Sequence, residues 1–236
     1  MAEILFLKDS YLKECDATVI AVKDEKQVVL DRTIFYPRGG GQPCDTGKLI
    51  RGADEFNVVS VVKSEGEIFH EVDRPGLRQG DAVRCILNWE RRYKLMRSHT
   101  AAHVLAAVMN KEASVLITGN QLEEDKVRFD FNLATFDREF MERCVAKANE
   151  ILQQDIELKI YELPREDAMK IPGIVKLAGA LPPKIAVLRI VEIPGVDIQA
   201  DGGTHVRNVR ECGQIELIKL ENKGKDNRRI YFRLVP

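Results

Sequence analysis

The chain has 236 residues, 44% of them hydrophobic, which suits a sizeable core at the border between one large domain and two small ones, and two is the expectation. Its 36 basic and 37 acidic residues leave a formal charge of -1, which excludes the uniformly basic character of a histone-like binder, so any nucleic-acid contact must rest on local patches. No apolar run is long enough to span a bilayer, the N-terminus lacks a basic segment followed by a long apolar one, and five cysteines without CxxC spacing argue against a disulfide framework: a soluble, cytoplasmic protein with reduced thiols and no membrane partner is expected.

From Ala2 to about Leu87 short apolar stretches alternate with turn residues: "EILFL", "ATVIAV", "QVVL", "FNVVSVV", "IFHEV" and "AVRCIL". This spacing predicts strands of a small β-barrel or sandwich, assigned to a first domain, 1–88. After Asn88, read as an N-cap, "WERRYKLMRSHTAAHVLAAVM" has no Pro or Gly and predicts a helix with Tyr93, Met96, Thr100, Val104 and Ala107 on one face. A second domain, 89–236, begins with it. There "VRFDFNL" and "IELKIYEL" alternate with period two, and "DREFMERCVAKANEILQQ" predicts a second helix capped by Asp137. A short helix around Arg165 to Lys170, a Pro/Gly-rich loop through "AGALPP" and strands "IAVLRIVEI", "QIELIKLE" and "RIYFRLV" complete an α+β half.

Three of the four histidines fall in two short motifs. His99 and His103, four apart on the predicted helix, differ by about 40° around its axis and roughly 6 Å along it, so both rings can reach one ion. Taken alone, HxxxH more often marks two histidines sharing a solvated or partly buried face. His205 lies in "DGGTH", where two glycines permit a sharp turn and Asp201 offers an oxygen. A helix pair and a loop pair make a set of four zinc-type ligands, an open site if three bind and a closed one if all four do. An open site suits a hydrolase, because a metal-held water has its pKa lowered to roughly 7 and an ester carbonyl is polarised. His70 reads as structural.

"RSHTAAH" at Arg97 to His103, with "DGGTH" at Asp201 to His205, resembles the HxxxH and CxxxH pair of the editing domains of alanyl-tRNA synthetase and of free-standing alanyl-tRNA editing proteins of the AlaX type. Threonyl-tRNA synthetase editing domains share that pair, but "YPRGGGQPCDTG", Tyr36 to Gly47, is similar to the glycine-rich segment of the alanine-specific and medium-length AlaX proteins. The resemblance covers nearly the whole chain. It implies an N-terminal β-barrel followed by an α+β editing domain with a metal site between helix and sheet, and zinc held by His99, His103, His205 and Asp201. It further implies substrate contacts at Thr118, Gly39, Gly40, Gly41 and Gln42. Read from the residues alone, Thr118 is a β-branched residue at a strand start and "GGGQP" a plain loop without the Lys-Ser/Thr ending of a P-loop. Family members commonly carry cysteine where this chain has Asp201, which leaves that residue as ligand, as an acceptor orienting a histidine, or as a base for water.

The activity so implied is hydrolysis of mischarged alanine tRNA, chiefly the serine ester. An alanine pocket rejects an added hydroxyl by only about a hundredfold, so a second site must recognise that hydroxyl. Basic residues for the tRNA are sought in Arg91, Arg92, Lys94 and Arg97 at the helix start, and among Lys219, Lys223, Lys225, Arg228, Arg229 and Arg233 in the last strands. A solvated basic face is the plainer reading of both groups. Nothing resembles a nucleotide-binding activation core, so no ATP-dependent synthetase activity is expected. The alternatives are a tRNA-binding module whose aspartate has weakened catalysis, and a zinc hydrolase of another ester or peptide, which the absence of an HExxH glutamate disfavours.

Overall fold

The computed structural model describes residues 2–133, 137–174, 185–224 and 227–236. The chain divides into two compact units, Met1–Leu95 and Met96–Pro236. In the first, six antiparallel strands close into a barrel in the order Glu14–Lys23, Gln27–Leu30, Glu67–Val72, Asp54–Ser64, Gly47–Arg51 and Ala82–Leu87. Alternation explains the closure: Ala17 and Val19 point inward between exposed Asp16 and Thr18, and join Leu30, Leu49, Phe56, Val61 and Val83 in one core. Each of these side chains larger than alanine contributes about 1.5–3 kcal/mol on burial.

The predicted strand "EILFL" is a correction. Only Glu3–Ile4 is extended, in parallel pairing with Arg32–Thr33, and Leu5–Lys8 forms one helical turn. Three consecutive apolar residues cannot all face one side of a strand. The turn lets Phe6 enter the core, edge-to-face on Tyr36 at 5.4 Å, with Leu5 and Leu7 packed against the same cluster. The strand Gly47–Arg51, unmarked by clear alternation, had no counterpart among the predicted elements.

The helix is Trp89–Ala113, and Asn88 caps it, its Oδ1 accepting from Arg91 N at 3.2 Å. It stops where Ser114 turns to a φ of 53°. From Leu95 to Met109 every residue except Arg97 is buried, so the expected single apolar face is a helix buried all round. The division between the units falls inside it. Arg92 shows why: fully buried, it pairs with Asp45 (Nε to Oδ1 3.0 Å) and donates to the carbonyls of Ser10 (2.9 Å) and Ile34 (2.7 Å), all barrel residues.

In the second unit an antiparallel sheet runs Gln214–Asn222, Arg228–Val235, Val127–Phe131, Ile117–Leu122, and a smaller one runs Lys159–Pro164, Val187–Ile193, Asp197–Ala200. The second helix is Arg138–Leu152, with Asp137 accepting from Phe140 N, and a short one spans Arg165–Ala168. The strand Ile117–Leu122 accords with Thr118 at a strand start, whereas Asp197–Ala200 was not separated by the period-two reading, because Asp and Gln occupy half of it. The "AGALPP" loop lies outside the described residues. Among the described residues no helix is long and apolar enough to cross a membrane.

His70 is fully buried, its Nε2 2.8 Å from Thr33 Oγ1 and Nδ1 3.0 Å from Val28 O, and burial lowers its pKa to about 4. Between pH 6.5 and 4 the unfolded chain binds a proton here that the folded chain does not, so stability falls with pH, by about 3 kcal/mol in full. Urea midpoints followed by fluorescence of the sole tryptophan, Trp89, are expected to drop across this range, and a His70→Gln variant should flatten the dependence. Equal slopes in both proteins would rule the assignment out. In the same assay Asp45→Ala, which strands the Arg92 charge, is expected to cost about 3–5 kcal/mol.

Candidate metal centre

His99, His103, Asp201 and His205 come together, each offering one ligand atom, all within 4.8 Å of one another. The helix supplies two rings one turn apart, with centroids 5.0 Å apart, and His205 stacks on His99 at 4.3 Å and meets His103 edge-on at 4.8 Å. The Asp201 carboxylate spans the group: Oδ1 is 3.1 Å from His205 Nε2, and Oδ2 is 3.6 Å from His99 Nε2 and 3.9 Å from His103 Nε2. Ligand atoms around a tetrahedral ion with bonds near 2.0 Å are about 3.3 Å apart, so these residues fit a zinc-sized cation with small side-chain adjustments.

The loop turns as "DGGTH" predicts. Gly203 N donates to Asp201 Oδ1 at 2.6 Å, and Arg189 holds the turn by donating to the carbonyls of Asp201 (2.9 Å) and Gly203 (3.0 Å). Gly203 has no substitute, since a Cβ there would overlap the His99 ring and come within 2.5 Å of its Nδ1.

Behind the rings stand residues that sequence reasoning missed in this role. His103 Nδ1 lies 3.0 Å from Asp197 Oδ2, to which Gln199 Nε2 also donates at 2.8 Å. His205 Nδ1 lies 3.1 Å from Thr100 Oγ1, and that hydroxyl also accepts from Val206 N at 3.3 Å. Asp197, Gln199 and Asp201 recur with period two, and Asp197 and Gln199 are buried while the Ile198 and Ala200 between them are only half-buried. The sequence carries the alternation but not which face is buried, so it gave no signal for this role. Burial sets the titration: His99 is held well below its usual range, and His205 falls to about 4. Burial also opposes charge on His103, but hydrogen bonds to Asp197 and Asp201 outweigh it and raise the ring to about 9. Asp201, despite burial, is kept well below the usual carboxylate range, chiefly by His99.

The other predicted site residues lie as follows. Thr118 is exposed and donates to Asn227 Oδ1 at 3.1 Å. In the first unit Gly39 and Gln42 bridge across a tight turn, with Gly40 and Gly41 at φ 58° and 85° and Gln42 only 1% exposed. The basic patches need correction. Arg92 is buried in the barrel and Arg228 is buried against Asn222 and the Gly224 and Asn227 carbonyls, so neither is a surface cation. Arg229 pairs with Asp130, Lys94 with Glu90, Lys223 and Lys219 with Glu221, and Arg233 with Glu216, which offsets their charge locally. Arg91 donates to Cys44 O and Arg97 to Cys212 O, and Lys225 lies outside the described residues.

Comparison with known proteins follows the same division. A family model described as tRNA synthetases class II (A) matches residues 2–91, and one described as the threonyl and alanyl tRNA synthetase second additional domain matches residues 188–231. Over its whole length the chain is 48% identical to the alanyl-tRNA editing protein AlaX-M of Saccharolobus solfataricus and 49% identical to that of Methanosarcina barkeri, covering all of both. Across 93% of its length it is 38% identical to the alanine–tRNA ligase of Methanococcus maripaludis, of which the match takes up 24%.

A Gly203→Ala substitution tests the geometry of the cluster. It is expected to displace the His99 ring and weaken divalent-cation binding by about 10–100-fold in a titration, with the far-UV circular dichroism unchanged. Undiminished binding would show that His99 need not stay where it lies.

Proposed function

This chain belongs to the alanyl-tRNA editing proteins, deacylases of misacylated tRNA, and on that premise we propose that it hydrolyses the serine ester of tRNA(Ala) at a zinc centre held by His99, His103, His205 and Asp201. The observation carrying this reading is the convergence of those four side chains, two from one helix and two from one turn. The donor set suits zinc: His99 and His205, which burial keeps from protonating, His103, whose raised pKa means that a cation must displace a proton to bind there, and a carboxylate. When bound, the ion would supply Lewis acidity toward an ester carbonyl and toward water.

The protein's own groups do the rest. Thr100 and Asp197 hold the outer nitrogens of His205 and His103, which leaves the inner nitrogens facing one another. Asp201 uses Oδ1 to close the turn, so Oδ2, nearer His99 and His103, is the oxygen assigned as ligand. Water adds across the acyl C–O bond, and serine and a free ribose hydroxyl leave. A site that discriminates against alanine needs a partner for the serine Oγ, because alanine then leaves that partner unsatisfied. The Thr118 hydroxyl is proposed for this, and Gly39, Gly40, Gly41 and Gln42 are proposed as contacts of the aminoacylated end.

The test uses purified protein with Ser-tRNA(Ala) and Ala-tRNA(Ala), with and without chelator. The serine ester alone is expected to be lost, and chelation or His103→Ala should slow this at least about a hundredfold. Equal loss of both esters, or indifference to chelator, would refute the reading. Binding of the tRNA with no deacylation at all would favour a non-catalytic module.

A further inference from the structure

We propose that Asp197 is a positioning residue of this centre: its carboxylate, steadied by the Gln199 amide, keeps the ring proton of His103 on Nδ1 and so turns the Nε2 lone pair toward Asp201, His99 and His205. The inference rests on the metal reading above and adds to it a residue that neither motif contains.

The argument begins with the acceptor. The Gln199 amide donates to Asp197 Oδ2, which marks that oxygen as an acceptor, and His103 Nδ1 lies nearer to it (3.0 Å) than to the amide nitrogen (3.4 Å), so the hydrogen of this contact is placed on the ring. Gln199 donates to the same oxygen at 2.8 Å, two residues along the same strand, which fixes the direction that oxygen faces. The Asp197 side chain is wholly buried, so water does not compete for it. Its backbone is equally constrained: Asp197 pairs with Ile193 in the sheet, and the preceding turn is closed by Val196 N donating to Ile193 O at 2.9 Å. A support built on a strand holds its angle better than one on a loop.

His103 needs such support. Its place on the helix fixes the Cα, but rotation about the second side-chain torsion exchanges ring nitrogens for ring carbons, and once the ring has given up its second proton to an incoming cation either tautomer is open to it. With the proton on Nε2, or the ring flipped, the inner position would present N–H or C–H where a lone pair is required. A carboxylate on Nδ1 excludes both and makes the opposite nitrogen a better donor to a cation.

The experiment uses the full-length protein and Co2+ as probe, with affinity read from its visible absorption. Asp197→Ala is expected to weaken Co2+ binding about 10–100-fold, and Asp197→Asn, which can return an acceptor oxygen without the charge, to recover part of the loss. Neither effect should follow the thermal midpoint of the metal-free protein, as it would if Asp197 only held the fold together. Long-range 1H–15N spectra of the zinc-loaded wild type give a reading without any variant: a low-field proton on Nδ1 of His103 supports the proposal, and a proton on Nε2 overturns it. Wild type that binds Co2+ while Asp197→Ala binds within about threefold of it defeats this inference alone. Wild type that takes up no cation defeats the metal reading and this inference together.

Discussion

Three imidazole rings with centroids 4.3–5.0 Å apart, all buried, are an arrangement a protein does not adopt without compensation. Each ring carries two polar nitrogens, one a donor and one an acceptor when neutral and both donors when protonated, and a buried polar atom left without a partner costs about 1–3 kcal/mol. The surroundings answer that demand on the outer side, with Asp197 behind His103 and Thr100 behind His205. On the inner side the nitrogens converge on Asp201. The helix, the two-glycine turn and the strand Asp197–Ala200 are therefore bound to one another by this polar cluster as well as by apolar packing. A cation accepted by the inner nitrogens would relieve the mutual repulsion of their lone pairs and the charge of Asp201 at once.

What could be read from the sequence follows the range of each interaction. Asn88, the absence of Pro and Gly, and the four-residue spacing of His99 and His103 are local, and the helix and its histidine pair were legible from them. Barrel strands with clean alternation, such as Glu14–Lys23 and Asp54–Ser64, were equally plain. That Asp201 and His205 meet the same pair is a tertiary fact that no spacing encodes; the residue types suggested one four-group set, and the resemblance of the two motifs supported it. Asp197 and Gln199 were invisible for a different reason. Polar residues alternating with Ile198 and Ala200 read as a strand whose polar face is wet, whereas here that face is the buried one. Apolar runs failed in the opposite way at "EILFL", where burial of Phe6 decided for a helical turn.

Charge was the least legible property. A run such as "ERRYKLMR" is a basic patch only if its side chains point outward unpaired, and the structure distributes them otherwise. Arg92 enters the barrel, where Asp45 also accepts from Tyr36 N at 2.6 Å, so one ion pair anchors the start of the helix and the base of the glycine-rich turn. Along the last strands Lys219, Lys223, Arg229 and Arg233 each face an acid. Exposed pairs of this kind contribute little stability, about 0–1 kcal/mol, but they offset the local field that phosphates would follow. These particular cations are therefore weaker candidates for phosphate contacts than their sequence suggests.

The aspartate at position 201 makes the turn and the centre a single device in a way that a thiolate would not. A thiolate offers one large, soft donor atom. A carboxylate offers two oxygens about 2.2 Å apart with separate lone pairs, so Oδ1 can accept from Gly203 N and face His205 while Oδ2 leans toward His99 and His103. The same residue thereby closes the loop that carries His205 and reaches the ring cluster. The harder, less charge-donating ligand would leave a bound cation with more of its Lewis acidity, and would bind a soft ion less firmly. Preorganisation would offset a weaker fourth ligand: Arg189 clamps the turn from its carbonyls, and Asp197 and Thr100 restrict two of the three rings. Less energy would then be lost in ordering the side chains if a cation bound, so that one oxygen donor among three imidazoles would be no bar to holding it.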